Sequence, residues 1–258
     1  MSQRYFIQLS YRGTAYHGWQ FQPNGISVQE VLEQKLSMIL KERIAIVGSG
    51  RTDAGVHAEQ QFAHFDSEQP IALTDLMIHA LNCMLPPDIA IQSIFPVDPE
   101  SHARFSATTR YYQYRIRKQK SPFLDFLVYV FRPELDIAAM NEAAGLLLKH
   151  TDFESFSKVR TKVSHFRCVI HRAEWIVEND QLVFHIKANR FLYGMVRTLV
   201  GTMLEIGQGR MTTAEFERIL LAKDRRQAGR SAPASGLFLV EVGYPAEVFR
   251  KKMMNGEQ

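Results

Sequence analysis

One stretch of the 258-residue chain concentrates what chemistry needs: Gly48-Ser-Gly-Arg-Thr-Asp-Ala-Gly-Val-His57 sets three glycines around one acid, Asp53. Such glycines let the backbone take positive φ and let a ligand approach the main chain closely. The stretch lacks the Gly-Lys-Ser/Thr ending of a phosphate loop and the Gly-x-Gly-x-x-Gly spacing of a dinucleotide fold. Two readings of Asp53 stay open: a turn aspartate bonding its own backbone, or a carboxylate presented for reaction. Glycoside hydrolysis and two-metal phosphoryl transfer need a second acid nearby, and Asp66 belongs to a different element, so those classes are disfavoured. His57, His64, His102 and His185 show no helical ligand spacing, and no metal is expected. Cys83 and Cys168 stand far apart outside any Cys-x-x-Cys or Cys/His cluster, which predicts two buried free thiols.

Two further side chains are ambiguous. Arg197 falls in an apolar helical stripe, where a permanent charge either turns to solvent or meets an acid or a ligand. Tyr112, in a strand, either packs on its sheet or stacks on a base.

Charge supports the second option without deciding it. Thirty-one Lys and Arg against 27 Asp and Glu give a formal +4, too mild to prove a polyanionic partner. Its distribution is more telling. From Ala103 to Lys120 there is no acid, and Arg104, Arg110, Arg115, Arg117, Lys118 and Lys120 are interleaved with Phe105, Tyr111, Tyr112 and Tyr114. Lys158 to Arg172 is again basic, with Lys158, Arg160, Lys162, Arg167 and Arg172. Cations mixed with aromatics suit single-stranded or loop RNA, the cations meeting phosphates and the rings meeting unpaired bases.

The elements that must position these residues follow from periodicity. Arg4–Ser10 reads as a strand, and the capping box Ser27-Val-Gln-Glu30 opens a helix carrying Val28, Val31, Leu32, Leu36 and Ile39. Ile44–Val47 and Gln60–Asp66 read as strands, Thr74–Met84 as a helix and Ile89–Val97 as a strand. Strand, helix, strand, strand, helix, strand is the split βαβ order. The second half repeats the manner. Thr109–Lys118 is a strand, Ile137–Leu148 a helix, Arg167–Val177 and Leu182–Lys187 strands meeting at Asn179-Asp180, Met195–Leu204 a helix and Leu237–Val242 a last strand. The expectation is an α+β protein of two domains, 1–106 and 107–258, each an antiparallel sheet with helices on one face in the manner of RRM and ferredoxin-like folds. With 46% hydrophobic and 22% charged residues the chain is a folded globular protein. No apolar run reaches membrane-spanning length and MSQRYFIQLS has no signal-peptide character, so a cytoplasmic location is expected.

Tyr11-Arg-Gly-Thr-Ala-Tyr-His-Gly-Trp-Gln20, Gly50-Arg-Thr-Asp-Ala-Gly-Val-His-Ala58, Ala103-Arg-Phe-Ser-Ala107 with Arg110-Tyr-Tyr-Gln-Tyr114, Lys187-Ala-Asn189 with Met195-Val-Arg197 and Gly201, and Gly236-Leu-Phe-Leu-Val240 resemble, in order, the tRNA pseudouridine synthase A (TruA) family. One departure is Arg12, where the family pattern has an aspartate. The resemblance implies that Asp53 is catalytic, attacking or deprotonating a target uridine that becomes pseudouridine without any cofactor. It implies that Tyr112 stacks on the displaced uracil, that Arg197 pairs with the catalytic aspartate, and that Arg51 helps draw the base from its stack. It further implies two domains flanking a basic active-site cleft, a homodimer, and tRNA positions 38, 39 and 40 in the anticodon stem-loop. Arg104, Arg110, Arg160, Lys162, Lys187 and Arg190 are the candidates for phosphate contacts. The rivals are an RNA-binding protein without catalysis, which has no use for a carboxylate facing an anionic ligand, and a metal-dependent nuclease or phosphatase.

Overall fold

The structure, a computed structural model, describes residues 2–158 and 164–249. In chain order it runs β1 (Gln3–Tyr11), α1 (Val28–Leu40), β2 (Val47–Gly48), β3 (His57–Ser67), α2 (Asp75–Met84), β4 (Ile89–Pro96), β5 (Thr109–Arg117), β6 (Tyr129–Val130), α3 (Ile137–Leu147), β7 (Ile170–Glu178), β8 (Gln181–Ala188), α4 (Met195–Gly207), α5 (Thr213–Ala222) and β9 (Leu237–Gly243). Its elements group into two units, one holding the chain up to Thr108 together with the stretch from Leu239 onward, the other Thr109–Phe238. Both are α+β, and none of the described helices is long and apolar enough to cross a membrane.

In the first unit β1 lies between β4 and β3, antiparallel to both, and β2 and β9 also pair with β3. Both faces of this sheet are buried, Phe6 and Phe62 on one and Ile7, Leu9 and Phe65 on the other. Ser27 caps α1 by accepting from Glu30 N at 3.2 Å, and Thr74 caps α2 by accepting from Met77 N. Val28, Leu32 and Leu36 then form the buried stripe of α1, each worth roughly 1.5–3 kcal/mol of removed apolar surface. The segment Ile44–Ile46, expected as a strand, pairs only from Val47, although Ile44 and Ile46 are buried. From beyond β9 comes Tyr244, whose ring sits 5.6 Å from Phe6 and 5.2 Å from Phe62. Cys83 is exposed, against expectation, because it lies on the outer side of α2, opposite buried Leu81; Cys168 is buried.

In the second unit the order is β5, β8, β7, with β6 parallel to β5. Asn179 and Asp180, with φ of 45° and 62°, make the two-residue turn from β7 to β8 that Asn-Asp between alternating runs predicts. One face of this sheet, with Tyr114, Phe184, Ile186 and Trp175, is buried. Asn141 of α3 bonds both backbone groups of Trp175, at 2.7 and 3.0 Å, which covers edge strand β7. Helix α5 was not expected, yet Thr212 and Glu215 form a full capping box at its start.

His64 on β3 is buried, and its pKa is driven down to about 4, first by desolvation, then by the charges of His102 and Arg4, against the pull of Asp66. Between the ordinary value of about 6.5 and 4 the unfolded chain binds a proton that the folded chain refuses, so stability falls as pH drops through that window and levels below it. Urea midpoints measured from pH 7 to 4 are expected to decline, and His64→Asn, which keeps an acceptor for the Ala103 N–H, is expected to flatten the decline.

Candidate active site

Asp53 sits on a bend without regular secondary structure between β2 and β3, and main-chain bonds tie the bend to the preceding segment. Trp19 N donates to Thr52 O at 3.2 Å, Gly55 N to Tyr16 O at 3.4 Å, and Val56 N closes the turn on Asp53 O at 3.1 Å. The same strap Tyr16–Trp19 caps α1, since Val28 N donates to Gly18 O and Gln29 N to Trp19 O. The first helix, the strap and the Asp53 bend are therefore one bonded assembly. Gly18 makes it possible: φ is +88°, and a Cβ there would overlap the Thr52 carbonyl.

Side chains fasten both ends. The Tyr11 hydroxyl bonds the buried Thr52 hydroxyl at 2.8 Å, Ser49 Oγ donates to Gln61 Oε1, and Gln61 Nε2 reaches Gly50 O at 3.3 Å. His57 is buried, and its Nδ1 accepts from Gly13 N at 3.1 Å, which puts the proton of the neutral ring on Nε2. Thr52 and Val56, on either side of Asp53, are buried while Asp53 is half-buried and Arg51 exposed. Arg12 is exposed, and its backbone N bonds Asp88 O at 2.9 Å.

Tyr112 and Arg197 belong to the second unit. Tyr112 is half-buried on β5, with Phe191 edge-on at 5.2 Å. Its neighbour Tyr111 points to the other face, where its hydroxyl is engaged by Nδ1 of buried His185. Arg197, on the first turn of α4, is pinned rather than solvated: Nε donates to Ala232 O at 2.7 Å and Ala232 N returns a bond to Arg197 O at 2.9 Å. Fixing Nε orients the plane carrying Nη1 and Nη2, the fork suited to a carboxylate or phosphate. Around it Thr198 Oγ1 bonds Ser231 Oγ at 2.9 Å, Thr202 Oγ1 accepts from Gly229 N at 3.0 Å, and the Tyr114 hydroxyl donates to Pro233 O at 2.8 Å. At Gly201 the helix comes so close to Arg230 O that no Cβ would fit, which is why the Arg197 stripe includes a glycine.

The basic candidates divide. Arg110 shares its face of β5 with Tyr112 and donates Nη1 to Asn189 O at 3.0 Å, and Arg190 Nη1 lies 3.3 Å from the His165 ring. Lys187 pairs in register with Tyr111 and so faces the opposite side from Tyr112. Arg104 is exposed in the first unit; Arg160 and Lys162 lie outside the described residues. The Tyr16–Trp19 strap lies inside the Tyr11–Gln20 block that carries the resemblance, though nothing in its spacing marks the main-chain bonds it makes, and the Ala228–Pro233 loop has no local signal at all. Gly18→Ala is expected to destabilise the protein by more than about 2 kcal/mol through strained φ and overlap. Tyr11→Phe is expected to cost about 1 kcal/mol by stranding the Thr52 hydroxyl, both read from urea unfolding by tryptophan fluorescence.

The family model described as tRNA pseudouridine synthase matches residues 8–106 and 143–245, segments that contain Asp53 and Arg197. The chain is 50% identical over 247 residues to tRNA pseudouridine synthase A of Parabacteroides distasonis, covering 96% of this chain and 98% of the relative. It is 48% identical to that of Bacteroides fragilis, over 96% of this chain and 98% of the relative. With the enzyme of that name from Exiguobacterium sibiricum it shares 38% identity, over 94% and 97% of the two chains. A family model matched over most of the chain and likenesses over nearly its whole length agree: the chain belongs to the tRNA pseudouridine synthase family, isomerases of uridine in tRNA.

Proposed function

We propose that the protein isomerises uridine to pseudouridine at positions 38, 39 and 40 of the tRNA anticodon stem-loop, with Asp53 as the group that attacks or deprotonates the target nucleoside and with no cofactor. The glycosidic bond to N1 breaks, the uracil turns in place, and C5 bonds to the same sugar carbon; the proton lost from C5 balances the one gained at N1. Nothing leaves and nothing is oxidised, so one well-placed carboxylate suffices. The observation that carries this reading is the bonding of the Asp53 bend through Tyr16–Trp19, which holds the acid in place before substrate arrives.

The other roles are those the family resemblance implies. Tyr112 is the ring that stacks on the uracil, while the neighbouring Tyr111 ring is already stacked on His185 with centroids 6.0 Å apart. Arg51, exposed two residues before Asp53, takes the space of the extruded base, a step costing a few kcal/mol of stacking and pairing. Arg197, with Nε fixed by Ala232, supplies a guanidinium fork for the anionic groups of the reaction. Arg104, Arg110, Arg190, Arg160 and Lys162 contact tRNA phosphates; Lys187, facing away from Tyr112, is the weakest of the set. The working protein is a cytoplasmic homodimer, expected by light scattering at twice the 29.6 kDa of one chain.

The decisive test is incubation with unmodified tRNA and mapping of pseudouridine by position. Asp53→Asn is expected to bind tRNA within about threefold of wild type and to lose product formation by roughly 10⁴-fold or more, as for other residues that carry the chemistry. Retained activity overturns the assignment. Replacing Arg110 and Arg190 by Gln is expected to weaken tRNA binding and to lower the slope of log affinity against log salt by roughly 0.7–0.9 for each phosphate no longer neutralised.

A further inference from the structure

Away from the Asp53 bend, the first unit contains a second closely bonded turn, two of whose side chains point outward. Residues His102–Ser106 form a turn in which five consecutive backbone N–H groups are bonded. His102 N donates to Ser106 Oγ at 2.9 Å, Ala103 N to His64 Nδ1 at 3.2 Å, Arg104 N and Phe105 N both to His102 Nδ1 at 3.1 and 3.3 Å, and Ser106 N to His102 O at 2.9 Å. Tyr244 OH donates to Ala103 O, and Arg4 Nη1 to Ser101 O at 3.1 Å. Two side chains leave this turn for solvent, Arg104 and Phe105, the latter 76% exposed.

An exposed phenyl ring on a floppy loop needs no explanation, but this one is supported. A series of rings runs outward from the core: Phe6 to His64 at 6.2 Å, His64 to His102 at 4.5 Å, His102 to Phe105 at 4.3 Å. The Arg104 guanidinium stands 5.6 Å from the Phe105 ring centre. Both histidines must be neutral to accept these N–H groups, and burial together with the Arg4 charge lowers the pKa of each. The fold thus holds an apolar ring in water beside a cation, the pairing that single-stranded nucleic acid binds: ring for base, cation for phosphate.

We propose that Phe105 and Arg104 form a stacking subsite for an unpaired nucleotide of the tRNA substrate, distinct from the target uridine. This rests on the synthase reading and extends it to a second point of contact. The separation follows from β3: His64 lies seven residues beyond His57, which closes the Asp53 bend, and that is roughly 23 Å of extended strand. Contact at that distance adds binding without touching the reacting atoms, so it acts on KM and spares kcat.

Phe105→Trp in the full chain provides the test, because Trp19 and Trp175 are each only 3% exposed and the introduced indole alone is open to acrylamide. Saturating unmodified tRNA is expected to quench that indole and protect it from acrylamide. Phe105→Ala is expected to raise KM for tRNA about tenfold with kcat within about twofold, Phe105→Tyr to restore KM, and Phe105→Leu to leave it raised. An indole equally accessible with and without bound tRNA, or an unchanged KM in Phe105→Ala, overturns the subsite while leaving the synthase reading intact. Protection that comes from raising protein concentration without RNA also overturns it, marking the ring as a self-association surface. Should wild type make no pseudouridine, the synthase reading falls, and indole protection by tRNA still decides the subsite.

Discussion

The Asp53 bend has no helix or ladder of its own, so its shape is only as firm as the strap Tyr16–Trp19 that bonds it. That strap faces two ways: it gives carbonyls to the first free N–H groups of α1, which every helix must satisfy somehow, and it bonds Thr52 and Gly55 beside the acid. A helix end and the Asp53 loop thereby satisfy each other's backbone through four residues. The buried Tyr11–Thr52 hydroxyl pair and the imidazole of His57 lock the flanks of the bend. Preorganisation here is chiefly a property of main-chain bonding.

The second unit solves the same problem with a helix. Arg197 would be costly in an apolar stripe, but α4 carries small and hydroxyl-bearing residues beside it, and the Gly229–Pro233 backbone lies against them. The guanidinium becomes one more bond in a packed seam, its stem buried and its head oriented. Tyr114 anchors the far side of the same loop, and burial raises its pKa well above the ordinary phenol range, so it remains a donor under all ordinary conditions.

Much of this was legible in the residue order, and the remainder was hidden for a definable reason. Strand alternation, the Ser27 and Thr74 caps and the Asn179-Asp180 turn are local signals, and each appears where its signal stands. Helix α5 has a local signal too, the capping box Thr212-x-x-Glu215, but only a short apolar stripe to go with it. The facing of Lys187 away from Tyr112 also follows from a two-residue period once the register of β5 with β8 is known, but register is a long-range fact. Asp53 drew notice by its glycines; that Gly18, more than thirty residues earlier, must lack a Cβ for Thr52 to fit could not be read, because such a collision exists only once the chain has folded.

The first unit is not finished by the first part of the chain: Tyr244, near the other end, fills its core against Phe6 and Phe62, and Val242 N bonds Gln60. On a ribosome adding roughly 5–20 residues per second, the unit bearing Asp53 therefore waits many seconds with its aromatic centre incomplete until β9 and Tyr244 have been made. Translation that stops short yields a chain lacking part of that centre, so prematurely terminated products are poor candidates for partial activity and good ones for proteolytic clearance.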